Sequence, residues 1–456
     1  RFNFVLQLEW IDANSFIVSD GNTVAFFNHL KRKGTIFSLP EKSDNFSINK
    51  TQKLLAHTFE NNLFTVPLEG KSKAITRHKS KDIAAGQTIS RSEFGIKKGI
   101  FWSPTGNAMA FYEKNESKVG DYPMIDISST PATVQNIKYP MAGQESEQVK
   151  VGVTNISKKK INYIEPRTAK DAYLTNLSWS NDDQFLLIAE VARSQKEMWL
   201  QLYNAQNGKF VATLFKEERS TWVEPEHPAL FLDDNTFLWL SDRDGFRNIY
   251  HYNLEGKLLQ QVTKHDFPVL EIIGITNEKK IIYRATGENP MDQHLFQATL
   301  DRNIQQITRK DGVHKGFLNV PANQLFITAS NPKTPHQAWL LDLNNYQEKQ
   351  ISNAEKTFDD VQLSSTEIFS LKAADEETDL YGRIIYPSDF DTSKSYPLFV
   401  YVYGGPHAQL VDNSWLHGAD LWMHYLAEKG VVVLSLDNRG SANRGVDFEH
   451  AIHRRL

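Results

Sequence analysis

Short runs of apolar residues, separated by turns rich in Asn, Asp, Gly and Lys, fill the chain up to about residue 365. The run at Phe101–Tyr112 recurs in altered form at Leu177–Ile188, and weaker versions begin at Leu230, Ile273 and Leu318. Each weaker version is followed by a second strand-like run and then a short third one, so the period is about 40–50 residues. Repeats of this length with about four short strands are typical of propeller blades.

Stacked blades also make physical sense for such a sequence. One small antiparallel sheet cannot bury its two faces alone, whereas radial stacking buries both and leaves only short outer edges. We therefore predict a mostly β chain with a β-propeller over residues 1–365, of about seven to eight blades with eight favoured. Residues 115–157 contain three prolines and little periodicity, and are predicted to form an inserted loop or arm.

The pattern changes in residues 366–456. The run Leu398–Tyr403 is apolar without interruption, which predicts a strand covered on both faces. Helical spacing follows over Trp415–Lys429, Gly430 is expected to end the helix, and Val431–Leu436 is a second buried strand. The side of this helix predicted to be buried carries Ala419, Trp422, Tyr425 and Leu426. A strand–helix–strand unit is the building block of a parallel sheet, so this segment is predicted to be a second domain.

Length and composition agree with at least two ordinary globular domains. With 456 residues, the chain is too long to form a single hydrophobic core. Its residues are 40% hydrophobic and 23% charged, as in ordinary globular proteins. A formal charge of −4 gives no reason to expect a nucleic acid or an anionic membrane as partner. No stretch approaches the roughly 20 apolar residues that span a bilayer.

The chain begins with Arg1 and carries no signal peptide, so we expect a processed protein or a fragment. It has no cysteine, which excludes disulfides and thiolate catalysis and suits a bacterial periplasm.

The sequence predicts no cofactor and no metal site. It has no cysteine–histidine metal pattern, no phosphate-binding Gly-Lys loop and no dinucleotide fingerprint. The pair His450 and His453 has metal-compatible spacing but no third ligand, and such pairs are more often surface residues.

Two side chains are candidates for chemistry. Tyr403 ends a predicted buried strand, where its hydroxyl either reaches water or donates to a developing oxyanion. Glu93 lies just before a predicted blade strand, and apolar Phe94 and the basic pair Lys97 and Lys98 follow it closely. From the residues alone, Glu93 is better explained as a surface turn carboxylate.

The chain resembles bacterial members of the prolyl oligopeptidase clan, in the branch of dipeptidyl peptidase IV and prolyl tripeptidyl aminopeptidase. The tripeptidyl branch is the nearer of the two, and the C-terminal segments are the most specific. The resembling segments are Glu93–Ile96, Phe101–Pro104, Tyr139–Gly143, Leu174–Ser180, Trp222–Pro225, Ser241–Phe246, Tyr401–Gln409, Arg439–Gly445 and His453–Leu456.

The resemblance implies an eight-bladed propeller followed by an α/β-hydrolase domain with a Ser–Asp–His triad, in an enzyme that removes N-terminal di- or tripeptides after proline. Tyr403 matches the tyrosine whose hydroxyl helps to form the oxyanion hole. Glu93 matches a propeller carboxylate that binds the free α-amino group of the peptide. The resemblance also implies peptide partners with a free N-terminus, a homodimer in which residues 115–157 are a candidate arm, and a periplasmic or cell-surface location.

Two departures from the family pattern matter. The dipeptidyl enzymes have adjacent glutamates where this chain has Ser92 and Glu93, so the single acid favours a longer N-terminal product. The sequence also lacks the Gly-x-Ser-x-Gly elbow that holds the nucleophile. We therefore expect residues 366–456 to be only the first part of the hydrolase domain, with the triad encoded beyond Leu456.

Other functions fit the same residues. A propeller binding module or an inactive peptidase homologue would share the repeats and lack the nucleophile elbow. An endo-acting oligopeptidase or acylaminoacyl peptidase would share the scaffold but would not use Glu93 to hold an amine.

Overall fold

The computed structural model describes residues 7–12, 15–19, 23–28, 30–38, 43–67, 71–158, 160–354 and 363–455. The domain boundary predicted near residue 365 comes just after one gap between these ranges. Leu456, the last residue of a resembling segment, lies outside them. The chain divides into two compact units, Arg1–Leu238 with Tyr252–Lys257 and Trp239–His251 with Leu258–Leu456.

Consecutive antiparallel sheets of four or five strands make up most of the described chain, and in all of these sheets except the third each strand pairs with its neighbour in sequence. Between Gln7 and Asn353 the described residues form seven such sheets, which confirms the prediction of blade-type repeats. The first two sheets contain β1 (Gln7–Asp12), β2 (Ser15–Ser19), β3 (Thr23–Asn28), β4 (Lys33–Ser38), β5 (Asp44–Asn49), β6 (Leu54–Phe59), β7 (Asn62–Pro67) and β8 (Lys73–Ala74).

The third sheet differs because it has five strands and an excursion. It contains β9 (Ile83–Ala85), β10 (Ile100–Trp102), β11 (Ala108–Asn115), β14 (Gln148–Asn155) and β15 (Ile161–Ile164). Between β11 and β14 the chain forms a separate hairpin of β12 (Asp121–Asp126) and β13 (Thr133–Lys138). All six residues of β12 are exposed. This hairpin lies within the segment predicted as an arm, whereas β14 pairs with β11 along its whole length.

The next four sheets follow the same order. Their strands are β16 (Tyr173–Trp179), β17 (Phe185–Val191), β18 (Glu197–Asn204), β19 (Phe210–Glu218), β20 (Leu230–Phe231), β21 (Phe237–Ser241), β22 (Asn248–Tyr252), β23 (Leu258–Gln261), β24 (Val269–Ile275), β25 (Ile281–Ala285), β26 (His294–Ala298), β27 (Ile304–Gln306), β28 (Val313–Asn319), β29 (Gln324–Asn331), β30 (Thr334–Asp342) and β31 (Glu348–Asn353).

Alternation of burial explains why such runs become strands. In β29, Leu325 and Ile327 are fully buried while their neighbours are only partly so, which matches the two-residue repeat of a pleated strand. The same inward residues join those of β25 and β26, including Ile282 and Leu295, in one core cluster. Residues of neighbouring sheets therefore share one core, and the central strands β21, β22 and β26 are buried on both faces.

A mixed sheet begins at residue 366. Its strands are β32 (Thr366–Lys372), β33 (Asp379–Ile385), β34 (Leu398–Tyr401) and β35 (Val432–Asp437), in the order β32-β33-β35-β34. β34 and β35 are parallel, as predicted, and the helix α1 (Leu421–Glu428) lies between them in the chain. Gly430 has a φ of +82° just after the helix, which fits its predicted role as terminator. The remaining helical turns are α2 (Val446–Glu449) and 3-10 turns at Ser90–Ser92, Trp415–Gly418 and His450–Ile452.

The predicted covering of β34 is wrong for the described chain. Residues 398–403 are 40% to 62% exposed, with Tyr403 at the upper limit. β34 lies at one end of the sheet, and among the described strands it is bonded only to β35. One face receives the ring of Trp422, which meets the rings of Phe399 and Tyr401 edge-on at 5.8 and 5.7 Å.

The predicted buried face of the helix is also only half right. Ala419 is buried and Leu426 packs against the core, but Trp422 and Tyr425 are 39% and 61% exposed. The helix begins only at Leu421, after a kink, so the spacing counted from Trp415 is out of phase. The residues that enter the core are instead Met423 and Ala427, one helical turn apart.

Candidate functional site

Glu93 lies on an exposed loop between two buried anchors. Ile89 and Ile96, on either side of it, are 1% and 4% exposed and belong to the same core cluster. The side chain of Glu93 is exposed. Among the residues that the structure describes, none forms an ion pair with its carboxylate. The carboxylate is therefore free to accept hydrogen bonds from a cationic ligand.

The backbone around Glu93 is strained. Ser90, Arg91, Ser92 and Phe94 have φ values of 51° to 66°, in the left-handed region that L-residues rarely adopt. Each such residue costs roughly 1–2 kcal/mol relative to a right-handed conformation. Surrounding contacts must hold this conformation, and strain of this kind is common at functional loops.

On its N-terminal side the loop is held by the base of the β12–β13 hairpin. The Ser90 amide donates to Glu147 Oε1 at 2.5 Å, and Arg91 donates to the carbonyl of Lys138. The Arg91 guanidinium also lies 4.5 Å from the ring centroid of Tyr139, a cation–π contact.

On its C-terminal side the loop is held by the propeller-type sheets. The Phe94 ring is 3% exposed and lies 5.0 Å from the ring of Tyr173, the first residue of β16. A β-carbon at Gly95 would lie 2.0 Å from the carbonyl oxygen of Glu226, and Gly95 has a φ of +67°. Only glycine fits at this position, because the backbones approach too closely for any side chain.

Tyr403 follows β34 by two residues and is 62% exposed. Its ring lies over the next turn, since a β-carbon at Gly405 would meet the ring at 3.2 Å. Gly404 has a φ of +80° with open space around it. A phenol at the carboxyl end of a parallel strand is placed where ligands of α/β sheets usually bind.

Two buried charges fix the loop after Tyr403. Asp437, at the carboxyl end of β35, accepts the amides of Leu410 and Val411 at 2.8 and 2.9 Å. Burial raises the pKa of the Asp437 carboxyl, and those two amide hydrogen bonds oppose the rise. Arg383 is 1% exposed and donates to the carbonyl of Leu410 at 2.9 Å and to Ser435 Oγ at 3.1 Å.

The structure thus places Glu93 in one unit and Tyr403 in the other, and the joint use of the two stays a prediction. Sequence reasoning missed their supporting residues. Asp437 could have been found, because it comes directly after a predicted parallel strand, where ligands of such sheets usually bind. Arg383 carries no local signal, since a single arginine in an apolar strand is usually read as a solvent-facing residue.

In the described part of the chain, no helix has the length and apolarity needed to cross a membrane.

Comparison with known families identifies the chain. Residues 14–336 match the model of the dipeptidyl peptidase IV N-terminal region. The chain belongs to the dipeptidyl peptidase IV family. This match confirms the family resemblance drawn from the sequence motifs, and it fits the predicted propeller-type repeats.

Curated relatives of the family cover most of the chain. It is 26% identical to dipeptidyl peptidase 4 of Felis catus over 402 residues, which are 80% of this chain and 51% of that protein. It is also 26% identical to prolyl endopeptidase FAP of Homo sapiens over 418 residues, which are 79% of this chain and 50% of that protein. The chain therefore spans about half the length of the curated relatives that it matches.

Solved structures of the family agree in fold. A candidate dipeptidyl aminopeptidase IV of Bacteroides ovatus is 35% identical, with a TM-score of 0.89 over 99% of this chain and 66% of that one. Dipeptidyl peptidase 4 of Porphyromonas gingivalis is 20% identical, with a TM-score of 0.84, over 98% of this chain and 64% of that one. The second likeness shows a shared fold only.

Proposed function

We propose that the chain is part of a serine exopeptidase that releases di- or tripeptides from free N-termini after proline. The observation that carries the proposal is Glu93, a carboxylate without a partner among the described residues, on a loop fixed by buried anchors. Its role is to accept hydrogen bonds from the α-ammonium group of the peptide. A fixed carboxylate sets the distance from the N-terminus to the bond that is cut, which makes the enzyme an exopeptidase.

The proposed chemistry is acyl transfer. A serine hydroxyl attacks the carbonyl carbon after proline, a histidine takes its proton and later gives it to the leaving amine, and water then hydrolyses the acyl-enzyme. We place the Ser, Asp and His outside residues 1–456, which contain no nucleophile elbow. The hydroxyl of Tyr403 donates a hydrogen bond to the oxyanion of the tetrahedral intermediate.

The strand–helix–strand unit of residues 366–456 supports a hydrolase domain of which this is the first part. The exposure of β34 supports the same view, because parallel strands of this type are usually covered on both faces. Tripeptide release is favoured over dipeptide release, because the dipeptidyl enzymes have two adjacent glutamates where this chain has Ser92 and Glu93. A second glutamate would shorten the part of the site that holds the N-terminal residues of the peptide. We further propose a homodimer and a periplasmic or cell-surface location.

The test uses the full-length protein and chromogenic Xaa-Pro and Xaa-Xaa-Pro substrates, with free and N-acetylated amines. We expect cleavage of the free-amine peptides, and a rise in KM of about 10- to 100-fold in Glu93→Gln for those peptides alone. Absence of cleavage, or equal cleavage of acetylated peptides, would show that the protein is not an exopeptidase of this kind.

Lys97→Ala is the matched control, because Lys97 is an exposed charged residue of the same loop. It should leave the ratio of free to acetylated cleavage unchanged.

A further inference from the structure

The contacts that hold the N-terminal side of the Glu93 loop come from one place, which we call the stem: residues 119–121 and 138–147, at the base of the β12–β13 hairpin. The stem is bonded to itself by several contacts. The Tyr139 amide donates to the carbonyl of Gly120 at 3.0 Å, Lys138 Nζ donates to the carbonyl of Val119 at 3.1 Å, and the same Nζ lies 3.1 Å from Asp121.

The stem is in turn fixed to the neighbouring sheet. Glu147 is half-buried and immediately precedes β14, which pairs with β11 over eight residues. The ring of Tyr139 contacts the ring of Tyr122 on the hairpin at 5.7 Å and the guanidinium of Arg91 on the Glu93 loop at 4.5 Å. Tyr139 therefore touches both the hairpin and the loop that carries Glu93.

The loop needs these contacts because its conformation is unfavourable by itself. Four of its residues have left-handed φ values without being glycine. The Glu147 carboxylate accepts a hydrogen bond from the amide of the first of these residues, Ser90. The second, Arg91, is held by its contact with the ring of Tyr139. Without the stem, these residues would relax toward right-handed or extended conformations, and the Glu93 carboxylate would move.

We propose that Glu147, Tyr139 and Arg91 are positioning residues, through which the stem fixes the carboxylate that binds the peptide amine. This inference rests on the proposed role of Glu93 and adds the part of the fold that sets its position. The hairpin is then part of the substrate-binding machinery, and contacts made to it influence amine recognition.

The experiment measures KM and kcat of the full-length protein with free-amine and N-acetylated proline substrates. Glu147→Ala should raise KM for the free amine about tenfold, leave kcat nearly unchanged and leave the acetylated substrate unaffected. Glu147→Gln keeps an acceptor for the Ser90 amide and should behave almost as the unmodified protein. Glu145→Ala removes an exposed stem carboxylate that pairs only with Lys118 in the described residues, and should change nothing.

A double variant separates positioning from a general loss of structure. In a Glu93→Ala background, Glu147→Ala should have no further effect on KM, since it acts through Glu93. A tenfold effect that persists in this background would overturn the inference. If Glu93→Ala changes KM and Glu147→Ala does not, the inference is wrong and the proposed function stands; if Glu93→Ala itself has no effect, both are wrong.

Tyr139 gives an independent variant should Glu147→Ala fold poorly. Tyr139→Ala removes the ring that contacts Arg91, and should raise KM for the free amine by a factor similar to that of Glu147→Ala. Tyr139→Phe keeps the ring and should restore the original KM. Equal KM values for the Ala and Phe variants would contradict a positioning role for this contact.

Discussion

The loops of Glu93 and Tyr403 are held in different ways. The Glu93 loop runs between buried residues of a shared core and is fastened on both sides, although its own backbone is strained. The Tyr403 loop follows β34, which is at least 40% exposed and bonded to one neighbour among the described strands. Its support comes instead from Asp437 and Arg383, which are buried in the same mixed sheet as β34.

The two loops therefore depend on different kinds of contact for their conformation. Repeated antiparallel sheets cover their own faces, so a strained loop between them can be fixed by local packing. A parallel sheet needs cover on both faces, and its loops rely on buried polar contacts until that cover is present. Substitutions at the two loops should therefore fail for different physical reasons.

The largest effect is expected at Arg383. Arg383→Leu should lower the free energy of unfolding by about 3–5 kcal/mol, because it removes a buried guanidinium whose charge stabilises the buried Asp437 carboxylate and which hydrogen-bonds the carbonyl of Leu410 and Ser435 Oγ. Urea unfolding of the full-length protein measures this change. The control is Arg439→Leu, whose partner Asp375 at 2.7 Å is solvent-exposed, and which should cost less than about 1 kcal/mol. Equal losses would show that the Tyr403 loop does not depend on buried charge.

Removing the phenol hydroxyl comes next. Tyr403→Phe should lower kcat by about 10²- to 10³-fold with little change in KM, because an oxyanion donor acts mainly in the transition state. Steady-state kinetics on a free-amine proline substrate tests this. The exposed Tyr425, changed to Phe, is the matched control and should leave kcat unchanged. An unchanged kcat in Tyr403→Phe would remove the residue from the oxyanion hole.

Glycine substitutions compare the two loops directly. Gly95→Ala should destabilise the protein by about 2–4 kcal/mol, because it combines a left-handed φ with a clash against Glu226. Gly404→Ala has a similar φ but open space, so it should cost only about 1–2 kcal/mol. Thermal unfolding of both variants gives the comparison, and a larger loss for Gly404→Ala would reverse our view of which loop is tightly packed.

The smallest expected difference is in how far acid lowers the stability of each of the two units. Burial lowers the pKa of several histidines in the second unit, that of His265 to about 4 from 6.5. The other histidines of the second unit with a lowered pKa are His294, His314, His417 and His424. In the first unit, burial lowers the pKa of His57. Between those two pH values the unfolded state binds more protons than the folded state, so stability is full above about pH 6.5 and falls as the pH decreases. Hydrogen exchange at about pH 7.5 and about pH 5 should show greater loss of protection in the second unit; equal loss in both units would contradict this.

The repeated sheets and the parallel pair were predictable because they rest on local alternation and on abrupt glycine turns, as at Gly430. The buried side of α1 was not, since the kink at Leu416 and His417 changes the helical phase. The exposure of β34 was not predicted, because an apolar run indicates only that a strand is suited to burial. It does not indicate which other part of the protein covers that strand. The supports of the Glu93 loop were missed as well, because Glu147 lies 57 residues from Ser90 and meets it only through tertiary folding.

We propose that Glu93 and Tyr403 act on the same peptide in one exopeptidase. The most direct test is to measure the kinetics of Glu93→Gln, Tyr403→Phe and their double variant on one free-amine proline substrate. We expect Glu93→Gln to raise KM, Tyr403→Phe to lower kcat, and the double variant to show both changes together. If neither parameter changes, or if both single variants alter only protein stability, then the two loops do not serve one peptidase site.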